Sequence, residues 1–340
     1  MYNIKMKSIF LSNSKDKLFS VYSNDIINQL EQLTQINTNL CYCKEDILKN
    51  PKYFNDTEYI FSSWGMPSFT LEEITVLFPS LKHIFYAAGS VQHFARPFLE
   101  LGISIHSAYK ANAIPVAEYT VSQIILANKG FFLNCLYQSN NEISKAIEIR
   151  QNIKGTYGCY IGIIGAGAIG STVIKMLKSS YNVKIMVFDP FLSDDKAIEL
   201  KVEKKSLHNL FASCMVISNH MANNEQTKGI LDYSCFRLMK KHSTFINTGR
   251  GAQVVENDLV KALKEDVTRC AILDVTEPEP PLDSSQLYTL PNIFLTSHIA
   301  GSLGDELFRM SEYMLDDFKK VILNEKTIHT VTLEMLSSMA

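Results

Sequence analysis

The sequence has no excess of charge of either sign and no long hydrophobic run. Its 340 residues carry a formal net charge of −2, with lysine and arginine dispersed along the chain. Nucleic-acid-binding proteins generally cluster basic residues on one face, so we expect no nucleic-acid partner. No apolar run approaches the length required to cross a bilayer, so we expect no membrane partner either.

Paired cysteines and metal-binding clusters are also missing. The seven cysteines are scattered singly except for Cys41 and Cys43, whose spacing is too tight for the usual zinc pairs. No cluster of histidine and cysteine completes that pair, so no metal site is expected. The stretch 1–11 lacks the length and cleavage pattern of a signal peptide and is interpreted as a first strand. Free thiols in such a chain indicate a reducing, cytoplasmic location.

Apolar runs alternating with amphipathic stretches predict two α/β units. In the first unit, strands are predicted at residues 7–11, 39–43, 58–62, 82–86 and 103–105, with a helix around 25–33. Thr70 and Glu73 form a capping box that opens a further helix. Strands that alternate with helices indicate a parallel sheet covered on both faces. A polar segment at 138–154 is interpreted as either a surface loop or an arm exchanged with a partner subunit.

The most informative motif is a turn containing Gly165, Gly167 and Gly170, placed between a buried apolar run at 160–164 and a helical stretch. Gly165 permits the tight turn, Gly167 lets the backbone approach a pyrophosphate, and Gly170 lets the helix pack closely on the strand. Unpaired N–H groups at the start of the helix favour phosphate oxygens. The turn therefore predicts dinucleotide binding.

A second apolar run ends at Asp189, nineteen residues beyond Gly170. Its carboxylate is placed to accept hydrogen bonds from the ribose hydroxyls of the dinucleotide. No arginine or lysine follows it directly, so a 2′-phosphate would meet an unneutralised negative charge. The cofactor is therefore predicted to be NAD.

Polar residues also follow each later predicted strand. Ligands of a doubly wound sheet bind outside the carboxyl ends of its strands, so these side chains are expected along one crevice. They are His220, Thr248, Arg250, Asp274, Glu277 and His298.

In these segments the chain resembles the D-isomer-specific 2-hydroxyacid dehydrogenase family. The resemblance spans roughly residues 58–320 and is carried by Gly165-Ala-Gly-Ala-Ile-Gly170, Asn247-Thr-Gly-Arg-Gly251, Leu273-Asp-Val-Thr-Glu-Pro278 and Pro291-Asn-Ile-Phe-Leu-Thr-Ser-His298. It implies two doubly wound parallel-sheet domains, with a Rossmann-type NAD domain inserted into a flavodoxin-like substrate domain. The implied boundaries are 1–108 plus 304–340 for the substrate-binding domain and 109–303 for the NAD-binding domain. The resemblance also implies an active site in the cleft between the domains, and a homodimer formed through the helical stretch from Asn112 to Leu136.

The activity implied by this resemblance is NAD-dependent interconversion of a 2-keto acid and a D-2-hydroxy acid. By similarity, His298 is the general acid and base, Glu277 orients it, and Arg250 binds the substrate. Substrate contacts would also come from Ala88, Gly89 and Ser90, while Trp64 either lines the pocket or packs in the core. The cofactor would be contacted by Gly165, Gly167, Ala168, Ile169, Gly170, Asp189, His220, Thr248 and Asp274.

Several departures from the family pattern leave the substrate open. The loop 87–92 lacks the common glycine at its start and the Asp-Asn pair after it, and Ser297 stands where proline is frequent. Two alternatives therefore accompany the dehydrogenase hypothesis. One is a non-enzymatic NAD(H)-binding sensor or corepressor on the same scaffold, and the other is a formate- or phosphite-type dehydrogenase.

Overall fold

The computed structural model describes residues 6–337 and divides the chain into two compact units. Unit 1 comprises residues 1–112 and 302–340, and unit 2 comprises residues 113–301. The first division lies four residues beyond the predicted boundary at 108, and unit 2 ends two residues before the predicted boundary at 303.

The strands of the described residues, in chain order, are β1 (Lys7–Leu11), β2 (Cys41–Tyr42), β3 (Thr57–Ser62), β4 (His83–Tyr86), β5 (Ser104–Ser107), β6 (Tyr160–Ile164), β7 (Lys184–Phe188), β8 (Glu203–Lys204), β9 (Val216–Asn219), β10 (Thr244–Asn247), β11 (Cys270–Leu273), β12 (Ile293–Leu295) and β13 (Thr330–Val331). The α-helices are α1 (Lys15–Val21), α2 (Asn24–Leu33), α3 (Lys44–Lys49), α4 (Leu71–Leu77), α5 (Ala95–Glu100), α6 (Tyr109–Asn128), α7 (Phe131–Ser139), α8 (Ile143–Asn152), α9 (Ala168–Ser180), α10 (Asp194–Leu200), α11 (Leu207–Ser213), α12 (Tyr233–Phe236), α13 (Glu256–Glu265) and α14 (Glu306–Ile322).

Unit 1 contains a sheet with the strand order β13-β5-β4-β3-β1-β2. Strands β1 to β5 pair in parallel, as predicted, whereas β13 pairs antiparallel with β5. The sequence did not predict this edge strand, because a two-residue strand has no periodicity to detect. The parallel part of the sheet confirms the doubly wound architecture expected for this unit.

Aromatic packing holds α14 against the sheet of unit 1. The rings of Phe61 and Phe85 stack at 5.3 Å, and Phe318 of α14 approaches both edge-on at 5.1 and 5.3 Å. Trp64 is partly buried and packs against both hydrophobic clusters of the unit. The predicted capping box is also present, since Thr70 Oγ1 accepts the Glu73 N–H and Glu73 Oε2 accepts the Thr70 N–H.

A buried carboxylate, Asp317, fastens the segment after α14 to unit 1. It accepts hydrogen bonds from the backbone N–H groups of Ile328 and His329 at 3.1 and 3.0 Å, and it lies 3.2 Å from Nδ1 of His106. Burial acts to raise the pKa of Asp317, but the contacts with His106, His329 and the Ile328 N–H outweigh it. The pKa therefore lies below its ordinary value, and the folded protein holds Asp317 as a carboxylate.

Unit 2 contains a parallel sheet with the order β12-β11-β10-β9-β6-β7-β8. Its strands are apolar runs covered by helices on both faces, as expected for an all-parallel sheet. The chain moves outward in one direction from β6 to β8 and in the other from β9 to β12. The strand order therefore reverses between β6 and β9, which is where a doubly wound sheet opens a crevice.

Two segments between β5 and β6 show features that the sequence did not predict. The polar segment at 138–154 contains helix α8, which buries Ala146 and Ile149, so it is not an extended loop. The segment's overall polarity concealed this short amphipathic pattern. The helical stretch from Asn112 to Leu136 consists of α6 and α7, separated at Gly130, whose φ of 66° breaks the helix. Within residues 6–337, no helix combines the length and hydropathy needed to cross a membrane.

Replacing Asp317 with asparagine should destabilise unit 1 by about 1–3 kcal/mol at pH 7, because a charged acceptor is lost from a buried site. The carboxylate contribution is present above the unfolded pKa of about 4 and is lost as the pH falls through the lower folded pKa. Asp317→Asn should therefore unfold with less acid sensitivity than the parent. Urea denaturation followed by the fluorescence of Trp64, the only tryptophan, reports unit 1 selectively.

The matched control is Asp316→Asn, which removes an exposed carboxylate from the neighbouring position of the same helix. It should leave the urea midpoint unchanged. Equal midpoints for Asp317→Asn and the parent at pH 7 would contradict the role assigned to Asp317.

Candidate active site

The carboxyl ends of six strands of unit 2 lie in one row across the sheet. The register places Phe188, Ile164, Asn219, Asn247, Leu273 and Leu295 side by side in that order. The residues that immediately follow them are Asp189, Gly165, His220, Thr248, Asp274 and Thr296. The structure therefore brings the predicted strand-end residues of unit 2 to one edge of the sheet.

The three glycines of the turn after β6 occupy three different environments. Gly165 has a φ of 85°, and a Cβ there would lie 2.9 Å from the backbone of His220. A Cβ on Gly170 would lie 1.9 Å from the Gly165 carbonyl oxygen, so only glycine fits there. A Cβ on Gly167 would meet nothing within 4 Å. The open backbone at Gly167 matches the approach that a pyrophosphate requires.

The start of α9 completes this cradle. Gly167 is the N-cap, Ala168 and Ile169 form the first turn, and no side chain caps the helix. The first N–H groups of a helix have no intrahelical partner, and the helix dipole favours an anion beside them. The residues present therefore fit the diphosphate of a dinucleotide.

Asp189 follows β7 and is tied to the glycine turn. Its Oδ2 accepts the Ala166 N–H at 2.7 Å and its Oδ1 accepts the Phe191 N–H at 2.8 Å. Each carboxylate oxygen keeps a further lone pair for another donor. The nearest lysine downstream, Lys196, is paired with Glu199 at 2.7 Å. Asp189 thus lies beside the cradle, and within residues 6–337 it forms no ion pair with a lysine or arginine.

His220 is buried and bonded on both sides of its ring. Nε2 lies 2.9 Å from Ser218 Oγ and Nδ1 lies 3.0 Å from Thr248 Oγ1, which is in turn 3.4 Å from Thr120 Oγ1. Burial lowers the pKa of His220 to about 3, so the imidazole is neutral at physiological pH. This chain of hydroxyl and imidazole groups joins β9, β10 and α6 beneath the crevice.

Asp274 follows β11 and organises the turn after β12. Its carboxylate accepts hydrogen bonds from Thr296 Oγ1 at 2.6 Å, the Ile299 N–H at 2.8 Å and the Ala300 N–H at 3.0 Å. The Asp274 carbonyl oxygen also accepts the His298 N–H at 3.0 Å. The turn that carries His298 therefore wraps around one buried carboxylate. The sequence predicted Asp274 as a cofactor contact, and the structure shows its carboxylate engaged with this turn.

His298 adopts a left-handed backbone conformation, with a φ of 58°. This conformation is uncommon for a residue other than glycine, and the four bonds to Asp274 hold the turn in it. The imidazole is about half exposed, and its Nδ1 lies 2.7 Å from Oε1 of Glu279. In the part of the chain that the structure describes, the other ring nitrogen, Nε2, makes no hydrogen bond.

The structure corrects the predicted carboxylate partner of His298. Glu279, not Glu277, contacts the imidazole. The backbone at Thr276 and Glu277 packs directly on Gly251, where an added Cβ would lie 1.9 Å from the Thr276 carbonyl carbon. The chain reaches His298 only two residues later. The motif Glu-Pro-Glu-Pro offers two equivalent carboxylates, and only the path of the loop distinguishes them.

Arg250 follows β10 and is partly buried. Burial lowers the pKa of Arg250, while the negative charge of Glu279 raises it. An arginine stays protonated in proteins regardless of such shifts. One guanidinium nitrogen, Nη1, donates to the Gly249 carbonyl at 2.7 Å. Arg250, Glu279 and His298 follow the neighbouring strands β10, β11 and β12 of unit 2.

Two further polar residues beside Arg250 were missed by the sequence analysis. Asn219 and Gln253 are fully buried and hydrogen-bonded to each other. Each is signalled in the sequence only as a polar residue next to apolar ones. Asn219 ends β9, and Gln253 directly precedes Val254.

The predicted substrate loop lies in unit 1, directly after β4. Ser107 donates a hydrogen bond to the carbonyl oxygens of Ala88 at 3.0 Å and Gly89 at 2.7 Å. Among the described residues, the backbone N–H groups of Gly89 and Ser90 have no hydrogen-bond acceptor. The loop therefore has its carbonyl groups satisfied internally and its donors available.

Comparison with known proteins adds a second line of support. The sequence model for the D-isomer specific 2-hydroxyacid dehydrogenase NAD binding domain matches residues 134–300, all within unit 2. A putative 2-hydroxyacid dehydrogenase of Bacillus subtilis, YoaD, is 32% identical over 244 residues, which are 68% of this chain and 67% of YoaD. D-3-phosphoglycerate dehydrogenase of Methanocaldococcus jannaschii is 28% identical over 313 residues, which are 91% of this chain.

The matched region makes up only 57% of the Methanocaldococcus enzyme, so this chain spans a little over half of that relative. Among solved structures, the apo form of Rhodotorula graminis D-mandelate dehydrogenase matches with a TM-score of 0.79 at 19% identity, over 96% of this chain and 97% of that chain. This likeness shows the shared fold. The sequence matches and the dinucleotide cradle agree, and the chain belongs to the D-isomer specific 2-hydroxyacid dehydrogenase family of NAD-dependent oxidoreductases.

Proposed function

We propose that the protein interconverts a 2-keto acid and a D-2-hydroxy acid, with His298 as general acid and base, Glu279 orienting it and Arg250 binding the substrate. One observation carries this proposal: Glu279 contacts His298 at 2.7 Å, and the negative charge of the same carboxylate acts to raise the pKa of Arg250. The assignment keeps the predicted Arg250 and His298 and replaces Glu277 with Glu279.

Reduction of a keto group requires a proton for the emerging alkoxide, and NADH supplies the hydride. His298 carries that proton on Nε2, because Nδ1 faces Glu279. The Glu279 carboxylate accepts the Nδ1–H and thereby fixes the tautomer and the orientation of the ring. In the oxidative direction the same Nε2 removes the hydroxyl proton.

Arg250 supplies positive charge for the substrate carboxylate or keto oxygen. Its planar guanidinium has five donors, of which the Gly249 carbonyl occupies one. The remaining donors can grip a carboxylate in a bidentate manner. In unit 1, the free backbone donors at Gly89 and Ser90 also suit a carboxylate, and we assign NAD binding to the glycine turn of unit 2.

We further propose a homodimer formed through the stretch from Asn112 to Leu136, in a reducing cytoplasmic setting. Helix α6 is predominantly apolar, and Phe131 at the start of α7 is 45% exposed. Exposed apolar side chains that cluster on a surface are typical of contacts between subunits. All seven cysteines are free thiols, and four are buried. Light scattering of the purified protein reports whether two chains associate.

The proposed activity predicts repeated turnover of NADH with at least one member of a broad 2-keto acid panel. The expected product is the D-hydroxy acid, identified by chiral chromatography. His298→Ala should lower kcat by about 10²–10⁴-fold while NADH binding survives, because the imidazole acts in proton transfer.

A panel without turnover, together with tight NADH binding, would instead favour the non-enzymatic sensor. Oxidation of formate or phosphite with NAD, and no reduction of any keto acid, would favour the second alternative. Production of only the L-hydroxy acid would contradict the family mechanism.

The two glutamates of the Glu-Pro-Glu-Pro loop provide a matched pair of variants. Glu279→Gln should lower kcat by about 10–100-fold, because the imidazole loses a charged hydrogen-bond acceptor. Glu277→Gln makes the same chemical change two residues away and should leave kcat within about twofold. Steady-state assays with the best keto acid measure both. A larger loss of kcat in Glu277→Gln than in Glu279→Gln would support Glu277, as predicted from the sequence, and refute the assignment of Glu279.

Asp189 predicts the choice of cofactor. The unmutated protein should prefer NADH over NADPH by a factor on the order of a hundred, because a 2′-phosphate would repel the carboxylate and displace ribose hydrogen bonds. Asp189→Ser, which keeps an oxygen for the Ala166 N–H, should reduce that preference to about tenfold or less. The exposed Asp195 provides a charge-matched control, and Asp195→Ala should not change the ratio. Equal efficiency of the unmutated protein with the two cofactors would refute this role.

A further inference from the structure

Arg250 has both of its backbone polar groups held by buried amide side chains. Gln253 Oε1 accepts the Arg250 N–H at 3.1 Å, and Asn247 Nδ2 donates to the Arg250 carbonyl at 3.2 Å. Gln253 and Asn247 are 0% and 1% exposed. The two amides fix the backbone from which the Arg250 side chain extends. They thereby set the position from which its guanidinium reaches a ligand.

Gln253 is also fixed at its other end. Its Nε2 donates to the carbonyl oxygens of Met221 at 3.0 Å and Ala222 at 2.8 Å, in the loop after β9. Its Oε1 accepts a second hydrogen bond, at 2.6 Å, from Nδ2 of Asn219. All four hydrogen-bonding positions of the Gln253 amide are therefore filled.

Asn219 connects Gln253 to Asn247. Its Nδ2 donates to Asn247 Oδ1 at 2.9 Å as well as to Gln253, and its Oδ1 accepts the Met221 N–H at 3.2 Å. Asn247 Oδ1 accepts the Gly249 N–H at 3.1 Å. A Cβ on Gly249 would lie 2.7 Å from Gln253 Oε1, so the residue before Arg250 is confined to glycine.

A buried network of this kind is costly unless every group is partnered, and here the partners are backbone groups of two loops. A hydrophobic side chain at position 253 would fill the same volume but leave the Arg250 N–H and the Met221 and Ala222 carbonyl oxygens without these partners. Packing alone would not require these hydrogen bonds. Together they fix the orientation of the peptide segment that carries Arg250.

We propose that Gln253, held by Asn219, is the positioning residue for Arg250 and ties the substrate-binding arginine to the loop after β9. This inference rests on the proposed function of Arg250. Gln253 does not touch the substrate. It acts by holding the Arg250 N–H, so its loss changes the direction of the guanidinium.

The test is Gln253→Met, which keeps the length and volume of the side chain and removes all four hydrogen bonds. Three quantities are measured: KM and kcat for the best keto acid, the calorimetric affinity of the protein–NADH complex for oxamate, and the affinity for NADH alone. We expect KM to rise about tenfold and oxamate to bind about tenfold more weakly. The affinity for NADH should change less than twofold.

A double-mutant cycle separates positioning from general destabilisation. If Gln253 acts through Arg250, adding Gln253→Met to Arg250→Ala should lower kcat/KM by less than twofold further. The full tenfold loss in both backgrounds would overturn the inference. If Gln253→Met alone caused no loss of kcat/KM, that result would also overturn the inference.

Asn292 provides the matched control in the same unit. It is 1% exposed, and its Nδ2 donates to the carbonyl oxygens of Leu263 and Arg269 at 3.0 and 2.8 Å, ahead of β12. Asn292→Leu removes a comparable buried amide and should lower the thermal midpoint without changing KM or oxamate affinity. A tenfold KM increase in Asn292→Leu would show that destabilisation alone produces the effect.

A second variant covers failure of Gln253→Met to fold. Asn219→Ala removes the donor to Gln253 Oε1 and leaves Gln253 in place, and it should weaken oxamate binding in the same direction. Unchanged oxamate affinity in a folded Asn219→Ala would overturn the inference. If Arg250→Ala leaves kcat/KM unchanged, or no keto acid is reduced, the proposed function fails and this inference falls with it.

Discussion

Parallel, in-register pairing of the strands in unit 2 is the constraint on which the candidate site depends. Because β6, β7, β9, β10, β11 and β12 end in one row, six loops leave the sheet at the same edge. Backbone bonds carry the pairing one residue further, with the Gly165, His220 and Asp274 N–H groups donating to carbonyls of neighbouring strands. Groups distant in sequence thereby become neighbours, and a shift of one residue would turn each side chain to the opposite face.

Burial divides the groups along this edge into two kinds. His220 is neutral, and Asp274 is surrounded by donors, so neither presents an unpaired buried charge. His298 and Glu279 are about half exposed, so a charge there costs little desolvation. The inner groups hold the loops in place, and the outer ones remain accessible to solvent.

Features that depend only on residues close together in the sequence could be predicted from it. The glycine turn, Asp189 and the capping box of Thr70 and Glu73 were predicted because each depends on spacing within one supersecondary unit. Helix α8 and strand β13 were not predicted. Their residues are too polar or too few to show a period, and packing against other segments stabilises them.

The sequence by itself determined the two α/β units and the dinucleotide turn, because these follow from periodicity and glycine geometry, while the residue types of the proposed catalytic set came from the family resemblance. Only the tertiary structure decided between Glu277 and Glu279, since the packing of Gly251 against the loop sets which carboxylate reaches His298. It also revealed Gln253 beside Arg250. Three of the four hydrogen bonds of that amide reach residues more than thirty positions away in the sequence, and no local pattern records such contacts.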